Sequence, residues 1–310
     1  MTRLLTRTDL EALLEPAACL AALREGFVAA PVETDGRRIR TDLPFPGTAT
    51  VLVPGLLPGI DAYTVKVNAK FPAARPALRG VVCLHDGRDG TLLALLDSAT
   101  LTAWRTGLAA ALGTHALAGD GTRVGVIGAG AQAELMVRGL AALRPRTDLV
   151  VCDTDPARAE AFAARHGGRV AMDARAVASA ADIVLLATWS REPLLTLADI
   201  RPGTHVTSLG ADEPGKQELA ADLLSSALLV VDDRGLAAET GALAAAGLPP
   251  TAAAATLGEI LRTEHPGRET PTQRTVYAPV GLPWQDLSLA WLAYDQAHRT
   301  GRGRETDLLT

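Results

Sequence analysis

The stretch RVGVIGAGAQA, residues 123–133, runs from a β-rich apolar segment into a glycine-rich turn that opens a helix. Gly128, Gly130 and Ala133 fall on the small-residue positions of the G-x-G-x-x-G/A fingerprint of dinucleotide-binding proteins. Small residues are required there because a pyrophosphate lies against backbone N–H groups at the helix N-terminus. The stretch therefore predicts a strand, a tight turn and a helix over 131–143.

A second predicted strand, LVVC at 149–152, runs directly into Asp153. A carboxylate at the end of this strand is placed to accept hydrogen bonds from an adenosine ribose, which favours NAD over NADP. Turns of this kind also serve other nucleotides such as S-adenosylmethionine, so the fingerprint by itself leaves that alternative open.

Composition limits the class of protein. A chain of 310 residues is long enough for two domains with separate cores. A net charge of −5 and a pI near 5.7 give no basic footprint for nucleic acid. The three cysteines and six histidines are scattered without disulfide or metal-ligand spacing. With no signal-peptide core and no apolar run of about 18 residues, we expect a soluble cytoplasmic protein without a metal.

The pattern along the chain changes at a Gly-Asp-Gly breaker, residues 119–121. Before it, Thr8 and Glu11 match a capping box, which predicts a helix reaching about Val28. Alternating segments then predict strands over 62–71, 80–86 and 91–97, followed by a helix over 98–118.

Beyond the breaker, β and α patterns alternate, which is typical of a parallel sheet covered on both faces. The predicted strands are 123–127, 149–152, 182–187, 204–209 and 227–231. The remaining predictions are a helical segment over 235–260, a polar loop over 264–275 and an amphipathic final helix over 284–298.

Six strings spread over nearly the whole chain resemble the ornithine cyclodeaminase/μ-crystallin family, which includes alanine dehydrogenases and ketimine reductases. They are VKVNAKFP (65–72), LLALLDSATLTAWRTG (92–107), VGVIGAGAQAEL (124–135), ATWSREPLL (187–195), GADEPGKQEL (210–219) and VGLPWQDLSLAWLAYDQA (280–297). The resemblance implies an α/β fold with a Rossmann doubly wound parallel sheet and an α+β substrate-binding and dimerisation domain. Residues 119–283 would form the NAD-binding domain of a homodimer, and residues 1–118 with 284–310 the other domain.

The family acts on amino or cyclic imino acids, whose carboxylate requires fixed cations. Arg40, Lys66 and Arg105 stand at the matching substrate-binding positions, and Lys66 would also polarise the reacting centre. Without the resemblance, Arg40 and Lys66 would be interpreted as ordinary surface cations. Asp212 follows an apolar strand and matches the family's acid–base aspartate, although its loop with Pro214 alone would suggest a turn residue.

The resemblance also implies a set of cofactor-binding positions. They are Thr106, Gly128, Gly130, Ala131, Gln132, Asp153, Thr188 and Lys216. The positions from Thr106 to Asp153 would hold the pyrophosphate and ribose, whereas Thr188 would border the nicotinamide. For Lys216, an exposed loop lysine is an equally open interpretation.

Departures from the cyclodeaminase pattern bear on the reaction. Segment 48–55, TATVLVPG, has no acid where cyclodeaminases carry a glutamate for the substrate's side-chain amine. Ala77 and Pro279 replace a family threonine and a family serine. We therefore expect an NAD(H)-dependent oxidoreductase that acts on the C–N bond of an α-amino or imino acid. The alternatives are an ornithine cyclodeaminase and a non-catalytic protein that binds NAD(P)H and a small ligand. Arg75 and Arg79 leave open a substrate with a second carboxylate.

Overall fold

The chain forms two compact units in a computed structural model that describes residues 1–29, 38–44, 47–71, 73–74 and 76–308. The first unit comprises Met1–Arg105 and Leu282–Thr310, and the second comprises Thr106–Gly281. The chain passes from one unit to the other inside a single long helix rather than at the Gly-Asp-Gly breaker. No helix of the described ranges is both long and apolar enough to cross a membrane.

The elements are numbered in chain order. The strands are β1 (Thr2–Leu5), β2 (Arg38–Asp42), β3 (Thr48–Gly55), β4 (Ala62–Lys70), β5 (Leu78–Asp86), β6 (Leu92–Asp97), β7 (Arg123–Ile127), β8 (Asp148–Cys152), β9 (Arg169–Val170), β10 (Ile183–Leu186), β11 (His205–Ser208), β12 (Leu228–Val231), β13 (Ala255–Thr256), β14 (Thr275–Tyr277) and β15 (Arg304–Thr306). The helices are α1 (Arg7–Leu13), α2 (Pro16–Val28), α3 (Ser98–Leu117), α4 (Ala131–Leu143), α5 (Pro156–His166), α6 (Ala174–Ala180), α7 (Ala221–Ser226), α8 (Arg234–Thr240), α9 (Ala242–Ala246), α10 (Leu257–Leu261) and α11 (Pro283–Thr300).

The second unit is a doubly wound α/β domain. Its sheet has the strand order β13-β12-β14-β11-β10-β7-β8-β9, and the neighbouring strands run parallel. Alternate residues of β8 pack into different apolar cores. Val150 and Cys152 belong to one core, and Leu149 and Val151 belong to the other. Both faces of the sheet are therefore buried, as a near-continuous apolar strand requires. The strand order reverses direction beside β7, the position at which such folds bind ligands.

The first unit is built on a mixed sheet of order β15-β1-β6-β5-β4-β3-β2. Strands β2 to β6 form an antiparallel meander, and β1 pairs parallel with β6. Helix α11 packs across β3, β4 and β5. This architecture, with the doubly wound second unit, confirms the predicted fold class.

Strand β4 reverses the usual relation between polarity and burial. Three of its four buried side chains, Thr64, Lys66 and Asn68, are polar, whereas Val67 on the opposite face is 44% exposed. A charged side chain is buried inside a protein only when other groups compensate it. The alternation in β4 was therefore predicted correctly, but its buried face forms a polar site instead of an apolar core.

Two helix predictions were wrong. The N-terminal capping box is formed by Thr6 and Asp9, not by Thr8 and Glu11, and Pro16 begins a separate second helix. Proline fits the first turn of a helix but breaks one in its interior, so the segment divides there. The region 235–260 is likewise not one helix, because Gly241 and Gly247 end its first two short helices.

Strand β14 lies at the edge of the predicted polar loop 264–275 and was missed. It has only three residues, yet it pairs with β11 on one side and β12 on the other. Tyr277 at its end is completely buried. A strand this short, with polar flanking sequence, cannot be recognised from its local sequence pattern, because its pairing is determined by residues distant in the chain.

Candidate active site

The turn between β7 and α4 has the backbone geometry of an anion cradle. Gly128 has φ +89°, and a Cβ there would lie 2.6 Å from the carbonyl oxygen of Ala187. Only glycine fits this close approach. A Cβ built on Gly130, the N-cap of α4, meets no atom within 4 Å among the described residues. The helix N-terminus is therefore open on the side where a phosphate would bind.

Two predicted cofactor residues carry buried polar atoms beside this turn. The Thr106 Oγ1 and Gln132 Oε1 atoms are buried, and neither makes a hydrogen bond within the described part of the chain. Helices α3 and α4 approach closely here, since a Cβ on Gly107 would lie 3.1 Å from the Gln132 carbonyl oxygen. Leaving a buried polar atom unpaired costs about 1–3 kcal/mol, so these two atoms suggest a bound polar ligand.

Asp153 closes the glycine turn from the end of β8. Its Oδ2 accepts a hydrogen bond of 2.8 Å from the Ala129 N–H, and its Oδ1 accepts one of 2.9 Å from the Asp155 N–H. The Arg158 Nη1 atom lies 3.3 Å from Oδ1. The carboxylate thus organises the turn and retains acceptor capacity on Oδ2, because an ionised carboxylate has about four lone-pair sites.

Thr188 follows β10, and its polar groups are directed to Glu218. The Thr188 N–H and Oγ1 both donate to Glu218 Oε1 at 2.7 Å. The hydroxyl oxygen of Thr188 also accepts from the Ser190 N–H at 3.2 Å. The side chain of this predicted nicotinamide neighbour is therefore held by the protein itself.

Asp212 and Lys216 form an ion pair in the loop after β11. Lys216 Nζ lies 2.7 Å from Asp212 Oδ1 and 3.7 Å from Glu213 Oε2. The same ammonium lies 4.8 Å above the ring of Trp189. Lys216 is buried, so the interpretation as an exposed loop lysine was wrong.

The first unit contains a cluster of buried charges at the first turn of α11, which we call the cation cluster: Lys66, Arg105, Gln285 and Asp286. Lys66 Nζ lies 2.6 Å from Asp286 Oδ2, and Arg105 Nε lies 3.5 Å from Asp286 Oδ1. Arg105 Nη1 donates to Gln285 Oε1 at 3.2 Å. All four residues are at most 5% exposed. Two cations therefore face one carboxylate, and these four side chains together carry a formal net charge of +1.

Hydrogen bonding in the cation cluster is incomplete. Arg105 Nε and Gln285 Nε2 are buried donors and Asp286 Oδ1 is a buried acceptor, and none of the three atoms makes a hydrogen bond to any residue that the structure describes. Gln285 is otherwise engaged, because its Oε1 also lies 3.3 Å from the Leu282 N–H. Unused donors next to a surplus positive charge are what an incoming carboxylate would satisfy.

Arg40 occupies a different environment from the other two predicted cations. It lies on the exposed β2, and its guanidinium pairs with Asp42 at 2.8 Å. Strand pairing places it in register with Thr50 and, through Thr50, with Asn68. Arg79 is exposed and Arg75 lies outside the described residues. The second-carboxylate alternative therefore stays a prediction.

Sequence reasoning missed three residues that organise these sites: Gln285, Asp286 and Glu218. A signal for Asp286 was present, since it shares the buried face of α11 with Leu289, Ala290 and Ala293. An acid on an apolar helical stripe indicates a function or an internal partner. In the described ranges, no group of three or more His, Cys, Asp or Glu side chains is arranged to hold a metal ion.

A doubly wound sheet with a glycine cradle, joined to a unit with a buried cation cluster, defines a protein of the dinucleotide-binding α/β class. Residues 2–301 match the profile of the ornithine cyclodeaminase/mu-crystallin family. The chain belongs to that family, as its sequence strings predicted.

Similar proteins cover nearly all of the chain. A putative dehydrogenase of Rhizobium meliloti is 30% identical over 86% of this chain and 85% of its own. An archaeal alanine dehydrogenase dimer with bound NAD superposes with a TM-score of 0.91 at 25% identity, covering 99% of both chains. The Δ1-pyrroline-2-carboxylate reductase of Thermococcus litoralis, in complex with NADH and L-proline, superposes with a TM-score of 0.90 at 27% identity. The match covers 98% of this chain and 100% of the reductase chain.

Proposed function

We propose that this protein is an NAD(H)-dependent oxidoreductase that acts on the C–N bond of an α-amino acid or a cyclic or linear imino acid. The observation that supports this proposal most directly is the cation cluster, with its formal net positive charge and its unused buried donors. A substrate carboxylate would supply the missing negative charge and accept from Arg105. The solved neighbours that bind NAD, NADH and L-proline support this class of ligand.

The residues around the glycine turn fit a dinucleotide. Gly128 and Gly130, with the N–H groups of Ala131 and Gln132, would hold the pyrophosphate at the start of α4. Thr106 Oγ1 and Gln132 Oε1 are the buried atoms for which the dinucleotide would provide partners. Asp153 would accept from the ribose, which favours NAD over NADP.

The residues of this chain divide the chemistry between binding and proton transfer. NAD, when bound, would supply the hydride acceptor or donor for the α-carbon of the substrate. Lys66 and Arg105 hold the carboxylate, and Lys66 also polarises the reacting centre. Asp212 takes a proton from the amine during oxidation and returns it during reduction, while Lys216 orients its carboxylate at 2.7 Å.

We also propose a homodimer that covers the open face of the first unit's sheet. Ile39, Val51 and Val67 lie in register across β2, β3 and β4 and are 60%, 37% and 44% exposed. An apolar row of this kind is typical of a protein–protein interface. Sedimentation equilibrium should therefore give about twice the chain mass of 32.2 kDa; a stable monomer at micromolar concentration would contradict it.

The testing experiment measures absorbance at 340 nm with NAD and a panel of L-amino acids, including ornithine, and assays ammonia in the same wells. The reverse direction is tested with NADH and cyclic imino acids or with keto acids plus ammonia. We expect stoichiometric NADH formation or consumption with at least one substrate. Asp212→Asn should lower kcat by about 100-fold or more, because it removes the proton carrier.

The other possible outcomes would support a different function or a different acid–base group. Ammonia and proline from ornithine without lasting NADH would mean a cyclodeaminase, despite the absence of an acid in β3. Binding of NADH without turnover of any substrate would favour a non-catalytic ligand-binding protein. Full activity of Asp212→Asn would exclude Asp212 as the acid–base group.

A further inference from the structure

Glu218 has a completely buried carboxylate that accepts four hydrogen bonds. Its Oε1 accepts from the Thr188 N–H and Oγ1, and its Oε2 accepts from the Ser208 Oγ and the Gly210 N–H, all at 2.7 Å. Burial raises the pKa of Glu218, and the four donors oppose that rise. Every lone-pair site of the carboxylate is therefore used.

These four bonds join the carboxyl ends of two neighbouring strands. Thr188 follows β10, whereas Ser208 ends β11. Gly210 and Glu218 also bracket the loop that carries Asp212 and Lys216. The packing is tight at Gly210, where a Cβ would lie 2.5 Å from the Thr188 carbonyl oxygen.

A second set of contacts interlocks the same two segments. The Gln217 N–H donates to the Ser190 carbonyl at 2.9 Å, and the Leu194 N–H donates to the Glu218 carbonyl at 2.8 Å. The loop after β10 and the loop after β11 are thus held together, with the Glu218 side chain at their centre. A buried network of this kind fixes positions because each lost partner leaves an unpaired group.

We propose that Glu218 is a positioning residue for the reaction: its carboxylate holds Thr188 and the Asp212–Lys216 pair in place at the carboxyl edge of the sheet. The inference rests on the proposed function, in which Asp212 carries the proton. It assigns Glu218 no contact with the substrate.

Glu218→Gln is the sharpest test, because it changes one acceptor atom into a donor. The amide NH2 then faces the N–H of either Thr188 or Gly210, and that backbone must move. We expect kcat to fall about 10- to 100-fold, as small displacements of catalytic groups do. The KM of the amino acid should change less than about threefold, since its carboxylate is held by residues of the first unit.

The matched control is Glu259→Gln, in the same unit but in a different loop. Glu259 accepts from the Thr256 N–H at 2.7 Å and pairs with Arg234 at 2.8 Å, so it is also a hydrogen-bonded structural carboxylate. Its substitution should lower thermal stability and leave kcat unchanged. Equal kinetic losses in the two variants would overturn the proposal, because they would indicate a general structural effect.

Amide hydrogen exchange separates this proposal from the proposed function. Glu218→Gln should speed exchange in residues 188–190 and 210–217 by about tenfold or more, whereas Glu259→Gln should not. Unchanged exchange in both segments would refute the positioning role even if the wild-type enzyme is active. If the wild type turns over no amino or imino acid, the proposed function fails, and the exchange result alone decides the role of Glu218.

Ser208→Ala provides a milder variant in case Glu218→Gln does not fold. It removes one of the four hydrogen bonds and leaves the carboxylate in place. We expect a threefold to tenfold loss in kcat with an unchanged KM for the amino acid. No change in either kcat or local exchange would count against the proposal.

Discussion

The cation cluster of the first unit is buried, and a polar network in the second unit is buried except for the half-buried Arg268, but only the network completes its hydrogen bonds. The network consists of Thr114, His205, Thr207, Arg268 and Thr275. His205 Nδ1 lies 2.7 Å from Thr275 Oγ1, and Nε2 lies 2.8 Å from Thr207 Oγ1. Thr207 in turn meets Thr114 Oγ1 at 2.7 Å. In the cation cluster, Arg105 Nε and Gln285 Nε2 lack such partners among the described residues.

The two arginines of these regions differ in the same way. Arg268 donates to the carbonyl oxygens of Leu117 at 2.9 Å and Gly203 at 3.0 Å, and to Thr275 Oγ1 at 2.9 Å. Its bonds connect α3 to β14 and to the turn before β11. Arg105 instead competes with Lys66 for one carboxylate, because both cations pair with Asp286. A polar group with complete partners contributes to the fold, whereas one with unused donors suggests a ligand.

The largest expected effect is on turnover, from Arg105→Met. Loss of a charge-assisted contact to the substrate carboxylate should lower kcat/KM by about 10³-fold. The free energy of unfolding should change by less than about 1 kcal/mol, because the Lys66–Asp286 pair remains and the surplus charge is removed. Steady-state kinetics and urea unfolding at one pH measure both quantities.

Arg268→Met is the matched control for that variant. It removes the donor of several part-buried hydrogen bonds, so it should cost about 3 kcal/mol of unfolding free energy. Its KM for the amino acid should stay within about twofold of wild type at a temperature where both are folded. If both variants lose only stability, the distinction between the two regions is wrong.

The next effect is on the pH dependence of stability, through His205. Complete burial, reinforced by Arg268 and Arg144, lowers the pKa of His205 from 6.5 to about 3. Between these values only the unfolded chain binds the proton, so stability is complete above pH 6.5 and falls as the pH decreases. At pH 4.5 the loss from this group should be about 3 kcal/mol.

Urea unfolding between pH 7.5 and 4.5, on wild type and His205→Gln, isolates this contribution. Glutamine can retain hydrogen bonds to the threonines but has no titrating group. The variant should therefore show a shallower loss of stability toward acid, after the other titrating groups cancel in the difference. Parallel curves for the two proteins would mean that His205 is protonated equally in the folded and unfolded states.

The sequence was sufficient to predict the doubly wound sheet because several of its strands are nearly continuous apolar runs of four or five residues separated by helical patterns. The turn at Gly128 has a local cause, since its φ of +89° and close approach to Ala187 demand glycine. Strand β14 has no such local signal. Its three residues are ordered by pairing with β11 and β12, which follow from the assembled sheet.

For the sites, sequence reasoning found single residues but not their partners. Lys66 was marked by its place in the string VKVNAKFP, which resembles the family. Glu218 was not marked, because an acid in a polar string gives no indication of what it will face after folding. Asp286 carried a signal, since it lies on the apolar stripe of α11, but that signal does not identify the cations it meets. The partner of a buried charge is a property of tertiary packing, which explains why the net charge of the cluster became evident only in the structure.

Asp153 is the intermediate case and should give the smallest effect, since its carboxylate is partly satisfied by Ala129 and Asp155. Asp153→Ala should raise the Kd of NADH about tenfold and that of NADPH less than about threefold, because only the unmodified ribose uses this acceptor. Arg158, 3.3 Å from the carboxylate, remains available to a 2′-phosphate in the variant.

Asp155→Ala is the control for this variant. It removes the N-cap of α5, so it should cost about 1 kcal/mol of stability and leave both Kd values unchanged. Equal weakening of NADH and NADPH by Asp153→Ala, measured by calorimetry, would show that the carboxylate organises the glycine turn without selecting the cofactor.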